Sequence, residues 1–135
     1  MRILLDASAL VPLVVERDQW HRSVTRVLGT MRAKPPVLIT TNWTLYEALA
    51  VAQRYGHIRA LALFQLVSQQ VRIVPVDPDL EAEALRRFLS WNDKTASVVD
   101  HANLLVARDE RCDAVLSFDA DFVPLVASTG ISVLA

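Results

Sequence analysis

Short, wholly apolar runs alternate with longer segments of helical spacing along this chain, and few folds accommodate that pattern. Ile3-Leu4-Leu5, Val37-Leu38-Ile39 and Ala114-Val115-Leu116 lack the in–out alternation of a strand with one wet face. A strand reads this way when both its faces are buried, as in a parallel sheet covered by helices on both sides. The expected strands are 2–5, 37–41, 71–76, 114–117 and 131–134. The fold class that follows is α/β. It is a three-layer α/β/α arrangement with a mostly parallel sheet of about five strands covered by helices.

The intervening segments carry the helical signals. Ala7 to Val11 reads as a short helix after Asp6, with Pro12 tolerated in its first turns. Trp20, Val24, Val27, Leu28 and Met31 mark an amphipathic helix over 18–31. Asn42 is a good N-cap for a helix over 43–55, which Gly56 closes. The next helix, 58–70, has Leu61, Leu63, Phe64 and Val67 on its apolar side. A helix from Pro78 to about Trp91 turns Leu80, Ala84, Leu85, Phe88 and Leu89 inward. After a loop at 92–95, Ser97 starts a helix to about Asp109, and 122–127 is a short helix or turn. No repeat or linker interrupts this order, so residues 1–135 read as one domain.

Composition excludes several classes. A hydrophobic fraction of 53% rules out a disordered chain. Lys plus Arg (14) nearly balance Asp plus Glu (15), which excludes a polybasic nucleic-acid binder but not an enzyme that grips nucleic acid locally. The single cysteine, Cys112, precludes an internal disulfide or a Cys-pair zinc site and reads as a buried structural thiol. The amino-terminal segment has a positive start and apolar residues, but Asp6 interrupts it, so it is not read as a secretory signal. The uncharged run from Ala7 to Val15 is far too short to cross a bilayer. A soluble, cytoplasmic protein without membrane contact is expected.

Asp6, Glu47, Asp100 and Asp119 are acids surrounded by apolar chain. Asp6 and Asp119 follow strands, and Glu47 and Asp100 lie early in helices. In an open α/β sheet, ligands bind beyond the carboxyl ends of the strands, so all four side chains can meet at one end. Singly, each has a structural explanation. Asp6 and Asp119 suit helix N-caps, and Ser97-Val98-Val99-Asp100 suits a capping box with a shortened acid. Glu47 escapes that explanation, because it lies past the first turn among apolar residues with no Lys or Arg nearby in sequence.

Carboxylates forced together repel and share protons or a cation. An all-oxygen acidic site suits Mg²⁺ or Mn²⁺, which serve phosphodiester hydrolysis. Competing chemistries lack their residues. Gly29, Gly56 and Gly130 form no phosphate-cradling loop, and no Gly-x-Ser-x-Gly elbow is present. His21, His57 and His101 show no metal-ligand spacing, and His101 points about 100° away from Asp100 on a helix. A phosphatase of the Asp-x-Asp kind would need an acid where Ser8 stands.

These residues also carry a resemblance. Leu4-Leu5-Asp6-Ala7-Ser8, Thr40-Thr41-Asn42 through Tyr46-Glu47-Ala48, Ser97-Val98-Val99-Asp100-His101 and Leu116-Ser117-Phe118-Asp119-Ala120-Asp121-Phe122 resemble, in order and spacing, the four acidic motifs of PIN domains of the VapC-type ribonuclease toxin group. The resemblance runs from residue 3 to the carboxyl end. It implies that Asp6, Glu47, Asp100 and Asp119 are the catalytic, metal-binding residues, with Asp6 and Asp100 the strongest ligands. Asp121 falls at a position that varies in such proteins and reads first as a solvated loop acid. Ser8, Thr41 and Ser97 carry hydroxyls that orient acids, bind phosphate or cap helices. The resemblance further implies an RNA substrate, a small antitoxin that covers the acids, and pairing as a homodimer. Trp20, Trp43 and Trp91 are candidates for lining such surfaces or for packing.

The reading is therefore a metal-dependent endoribonuclease, the toxin of a toxin–antitoxin pair, using Mg²⁺ or Mn²⁺. One rival is a PIN-type nuclease of RNA maturation or decay with no antitoxin. Another is a non-catalytic receiver-like signalling module, but that needs paired acids after the first strand, where Leu5 precedes Asp6, and a Lys beyond Lys94.

Overall fold

The computed structural model describes residues 1–92 and 95–135. Five strands form one sheet in the order β3-β2-β1-β4-β5, and every pairing is parallel. The strands are β1 (Arg2–Leu5), β2 (Val37–Thr41), β3 (Arg72–Val74), β4 (Ala114–Leu116) and β5 (Ser132–Leu134). Strand β1 lies at the centre, registering Ile3 with Leu38 on one side and with Ala114 on the other. The chain winds outward from β1 to β3, then returns to lay β4 against the other edge of β1. The strand order reverses between β1 and β4, and a ligand crevice opens at such a reversal.

The apolar runs are explained by burial on both faces. Ile3 and Leu5 pack with α1 (Ala7–Leu10), a 3-10 turn at Val11–Leu13, α2 (His21–Gly29), α3 (Asn42–Gln53) and α4 (His57–Gln70). Leu4, Ile39 and Val115 face the opposite way, against α6 (Val98–Asp109) and α7 (Phe122–Val126). The remaining helix, α5 (Pro78–Ser90), packs on α6 through Ala84, Ala102 and Leu105. The expected three layers are therefore present. Cys112 is buried as expected, and burial pushes its thiol pKa up.

Several local expectations are corrected. Helix α2 starts at His21 rather than Asp18, because Asp18 Oδ1 accepts from the Trp20 amide and holds a turn there. Thr41, not Asn42, caps α3: its hydroxyl accepts from the Thr44 amide at 3.0 Å. Asn42 Oδ1 instead accepts from the Val76 amide, 34 residues away. Pro12 sits in the 3-10 turn after α1. Leu61 and Phe64 on α4, and Leu85, Phe88 and Leu89 on α5, face solvent rather than the core, while Leu63, Val67 and Ala84 are buried. Gly56 adopts φ +117° at the start of α4, a conformation that a side chain would strain. The loop expected at 92–95 includes Asp93 and Lys94, which lie outside the described residues. No helix among the described residues is long and apolar enough to cross a membrane.

Candidate functional site

Asp6 is the residue immediately after β1, and it is buried. It occupies the N-cap position of α1, yet its side chain caps nothing. Its carboxylate is held by side chains instead. Oδ2 accepts from Ser8 Oγ at 2.9 Å and from Ser117 Oγ at 3.0 Å, and Oδ1 accepts from Asn103 Nδ2 at 3.4 Å. All three donors are neutral. A buried carboxylate so held is oriented by groups that carry no charge of their own.

Asn103 is a buried polar residue within α6, one helical turn beyond Asp100. Its Oδ1 accepts from Thr44 Oγ1 at 2.8 Å and from Thr41 Oγ1 at 3.4 Å, which leaves its amide hydrogens for Asp6. The network thus ties α3 and α6 to the end of β1. Sequence reasoning gave Asn103 and Ser117 no role. For Asn103 the available signal was an amide one turn after an acid, inside a run of apolar residues.

Asp100 is buried in the first turn of α6, and the capping box expected there is formed. The Ser97 amide donates to Asp100 Oδ2 at 2.9 Å, and the Asp100 amide donates to Ser97 Oγ at 3.1 Å. Among the described residues, Oδ1 takes no hydrogen bond. Burial, with the charges of Asp6 and Asp119, pushes the Asp100 carboxyl up to about 6, against the lowering pull of Ser97. Capping and membership of the acidic group therefore coexist in one side chain.

Glu47 sits on α3 and is exposed, not buried as its apolar neighbours suggested. Helical spacing places those neighbours inward and Glu47 at the rim. Partial burial, then the charges of Asp6, Asp100 and Asp119, raise its pKa. Asp119 follows β4, and it does not cap α7. Its amide donates to Ser117 Oγ, and its Oδ1 accepts from the Asp121 amide at 2.9 Å. The four acids thus gather at the carboxyl end of the sheet, close enough that Asp6 and Asp119 raise both Glu47 and Asp100. Asp121 does not figure among the charges that raise Glu47 or Asp100.

The ion pairs among the described residues are Arg2–Glu110, Arg72–Glu110, Arg108–Glu83 and Arg108–Asp109, and none involves the four acids. Carboxylate oxygens without a protein cation are hard donors suited to Mg²⁺ or Mn²⁺. Among the described residues, no three acid, imidazole or thiol groups stand close enough to cage an ion by themselves. The donor set fits an ion that retains water in its coordination sphere, as Mg²⁺ does.

The remaining sequence candidates divide. Ser8 orients Asp6 while accepting from the Phe118 amide at 2.9 Å. Thr41 and Ser97 cap helices. His101 is fully buried away from the acids, edge-on to Phe88 and Trp91, with both ring nitrogens unpartnered among the described residues. Burial and the Arg87 charge lower its pKa, which keeps it neutral. Trp43 and Trp91 pack against the α5–α6 side of the core, while Trp20 stacks on Phe118 beside the acids.

Comparison with known proteins agrees with this geometry. The PIN domain profile matches residues 3–125. The chain is 30% identical over 122 residues to the 23S rRNA-specific endonuclease VapC20 of Mycobacterium tuberculosis, covering 89% of this chain and 91% of that protein. Its fold is similar to the crystal structure of that Sarcin-Ricin loop cleaving toxin, with a TM-score of 0.82 at 29% identity over 91% of this chain and 94% of the other. VapBC2 from Rickettsia felis, crystallised with a DNA fragment from its promoter, shares the fold at a TM-score of 0.71 and 12% identity, with both chains covered in full.

Proposed function

Because the chain belongs to the PIN-domain family, we propose that it is a VapC-type endoribonuclease, the toxin of a toxin–antitoxin pair, hydrolysing RNA phosphodiesters. The observation that carries the reading is the group of four carboxylates at the sheet reversal, none of them ion-paired among the described residues. Asp6, Glu47, Asp100 and Asp119 are the proposed ligands of Mg²⁺ or Mn²⁺. When bound, that ion supplies positive charge against the phosphodiester and acidifies the attacking water.

The protein's own residues provide the rest. Ser8 and Ser117 hold Oδ2 of Asp6, and Asn103 holds Oδ1, so this carboxylate keeps one orientation. Ser97 fixes Asp100 Oδ2 and leaves Oδ1 as a donor. Preset ligands need no reordering when substrate arrives. Hydrolysis breaks one P–O bond and adds water across it. Near-neutral net charge means that RNA is recognised locally, by loops and shape, rather than by a basic surface. Ribosomal RNA is the first substrate to examine, given the specificity named for the relative. An antitoxin that covers the acids and a homodimeric state complete the proposal.

The test is cleavage of RNA by purified protein with Mg²⁺, Mn²⁺ or EDTA, alongside Asp6→Asn. The proposal expects metal-dependent cleavage that EDTA and Asp6→Asn abolish. Undiminished cleavage by Asp6→Asn would overturn it. Growth arrest on expression, relieved by the product of a neighbouring gene, separates a toxin from a housekeeping nuclease.

A further inference from the structure

A second feature adjoins the acids. A cleft of about 200 Å³ is lined by Trp20, Ser23, Phe118, Val123 and Ala135, and Asp119 of the acidic group forms part of its wall. The Trp20 and Phe118 rings stack with centroids 4.9 Å apart and planes 7° from parallel. Both residues are only partly buried, and Val123 is exposed.

The backbone at Phe118 and Asp119 is anchored to Asp6 through two hydroxyls. The Phe118 amide donates to Ser8 Oγ at 2.9 Å, and Ser8 donates to Asp6. On the next residue, the Asp119 amide donates to Ser117 Oγ at 3.1 Å, and Ser117 donates to Asp6. The backbone that carries the Phe118 ring is thereby tied to the buried carboxylate, and the ring itself rests on Trp20. The cleft has no Lys or Arg in its lining and one acid, so it does not select a phosphate. It is smaller than the roughly 300–1,000 Å³ of a drug-sized pocket, which limits it to about one ring system. An unstacked base of single-stranded RNA is a planar, largely apolar group of that kind, and proteins commonly bind it by aromatic stacking.

We propose that the Trp20–Phe118 pair is a stacking platform for one base of the RNA substrate, adjoining the phosphodiester presented to the acids, and so positions the strand over them. This rests on the nuclease reading above, and the experiment separates the two. Fluorescein-labelled single-stranded oligoribonucleotides, intact or with one abasic position moved along the strand, are titrated onto Asp6→Asn protein with Mn²⁺ and followed by anisotropy. One abasic position is expected to weaken binding about tenfold, in line with the value of a stacked base. Adding Trp20→Leu weakens the intact strand by a similar factor and removes sensitivity to that position, whereas Trp20→Phe retains it. Phe118→Leu serves as the second variant should Trp20→Leu fail to give a cooperative melt.

The platform is overturned if folded leucine variants bind every oligonucleotide as the parent does. It is also overturned if no position is sensitive to base loss, or if the variants weaken only binding of an antitoxin peptide. Wild-type protein that fails to cleave RNA while keeping base-dependent binding overturns the nuclease reading and leaves the platform standing.

Discussion

Ser117 Oγ donates to Asp6 Oδ2 at 3.0 Å, joining residues 111 positions apart in sequence. The bond bridges the ends of β1 and β4, where the strand order reverses. One hydroxyl thereby fixes a buried carboxylate and also accepts the amide of a second acid, Asp119.

Ser117→Ala removes that hydroxyl and leaves the Asp119 amide without its partner. A hydrogen bond to a charged group contributes about 1.5–3 kcal/mol. The variant should lose stability of about that size in urea denaturation, and its metal-dependent cleavage should fall without vanishing. Unchanged stability and cleavage would show that Ser117 does not hold Asp6.

Asp100→Asn keeps an oxygen that can accept from the Ser97 amide and removes a charge that Asp6 and Asp119 oppose. Cleavage should be lost while the melting temperature of the metal-free protein stays level or rises. A residue that only caps would behave otherwise, retaining activity and losing about 0.5–2 kcal/mol of stability when its capping is impaired. Melting and Mn²⁺-dependent cleavage measured on one preparation distinguish the two.

The pH dependence has a definite sign. Asp100 titrates near 6 in the folded protein against an ordinary value of 3.8, so the folded state holds the proton more tightly. Its contribution to stability is full below about 4 and is lost as pH rises through about 6. The raised Glu47 acts in the same direction. Relative to Asp100→Asn, the metal-free wild type should therefore gain stability between pH 7 and pH 5. Mn²⁺ should stabilise the wild type more at pH 7 than at pH 5, because protons and cation compete for the same oxygens. Thermal melts at both pH values, with and without MnCl₂, read both effects. A wild type that loses stability relative to Asp100→Asn on acidification would contradict the account.

Asn103→Ala strips the acceptor from Thr44 and a donor from Asp6 in a fully buried place. Leaving buried polar groups unsatisfied costs about 1–3 kcal/mol. Lower stability with reduced cleavage is expected. Restoration of both by Asn103→Gln would not be expected, because the longer side chain cannot reproduce the two contacts within a packed core.

The sheet was legible because burial on both faces removes alternation, and Ile3-Leu4-Leu5 records that directly. The acids were legible because strand ends and helix starts converge at a parallel sheet's carboxyl edge. Other features depend on partners distant in sequence. Whether Thr41 or Asn42 caps α3 turns on Val76, which captures the Asn42 side chain. Apolar spacing marked Leu61, Phe64, Leu85 and Phe88, yet periodicity cannot say which stripe another element will cover. Asn103 offered only an amide one turn after an acid, and that gains meaning once its partners Asp6, after β1, and Thr44, on α3, are in place.

The central position of β1 has a consequence for synthesis. Strand β1 must wait for β4, more than 100 residues later, before its second edge is paired. Such distant pairing slows folding. It also means that Asp6 lacks Ser117 and Asp119 until nearly the whole chain has emerged. A prematurely terminated chain that lacks β4 has only part of the acidic group.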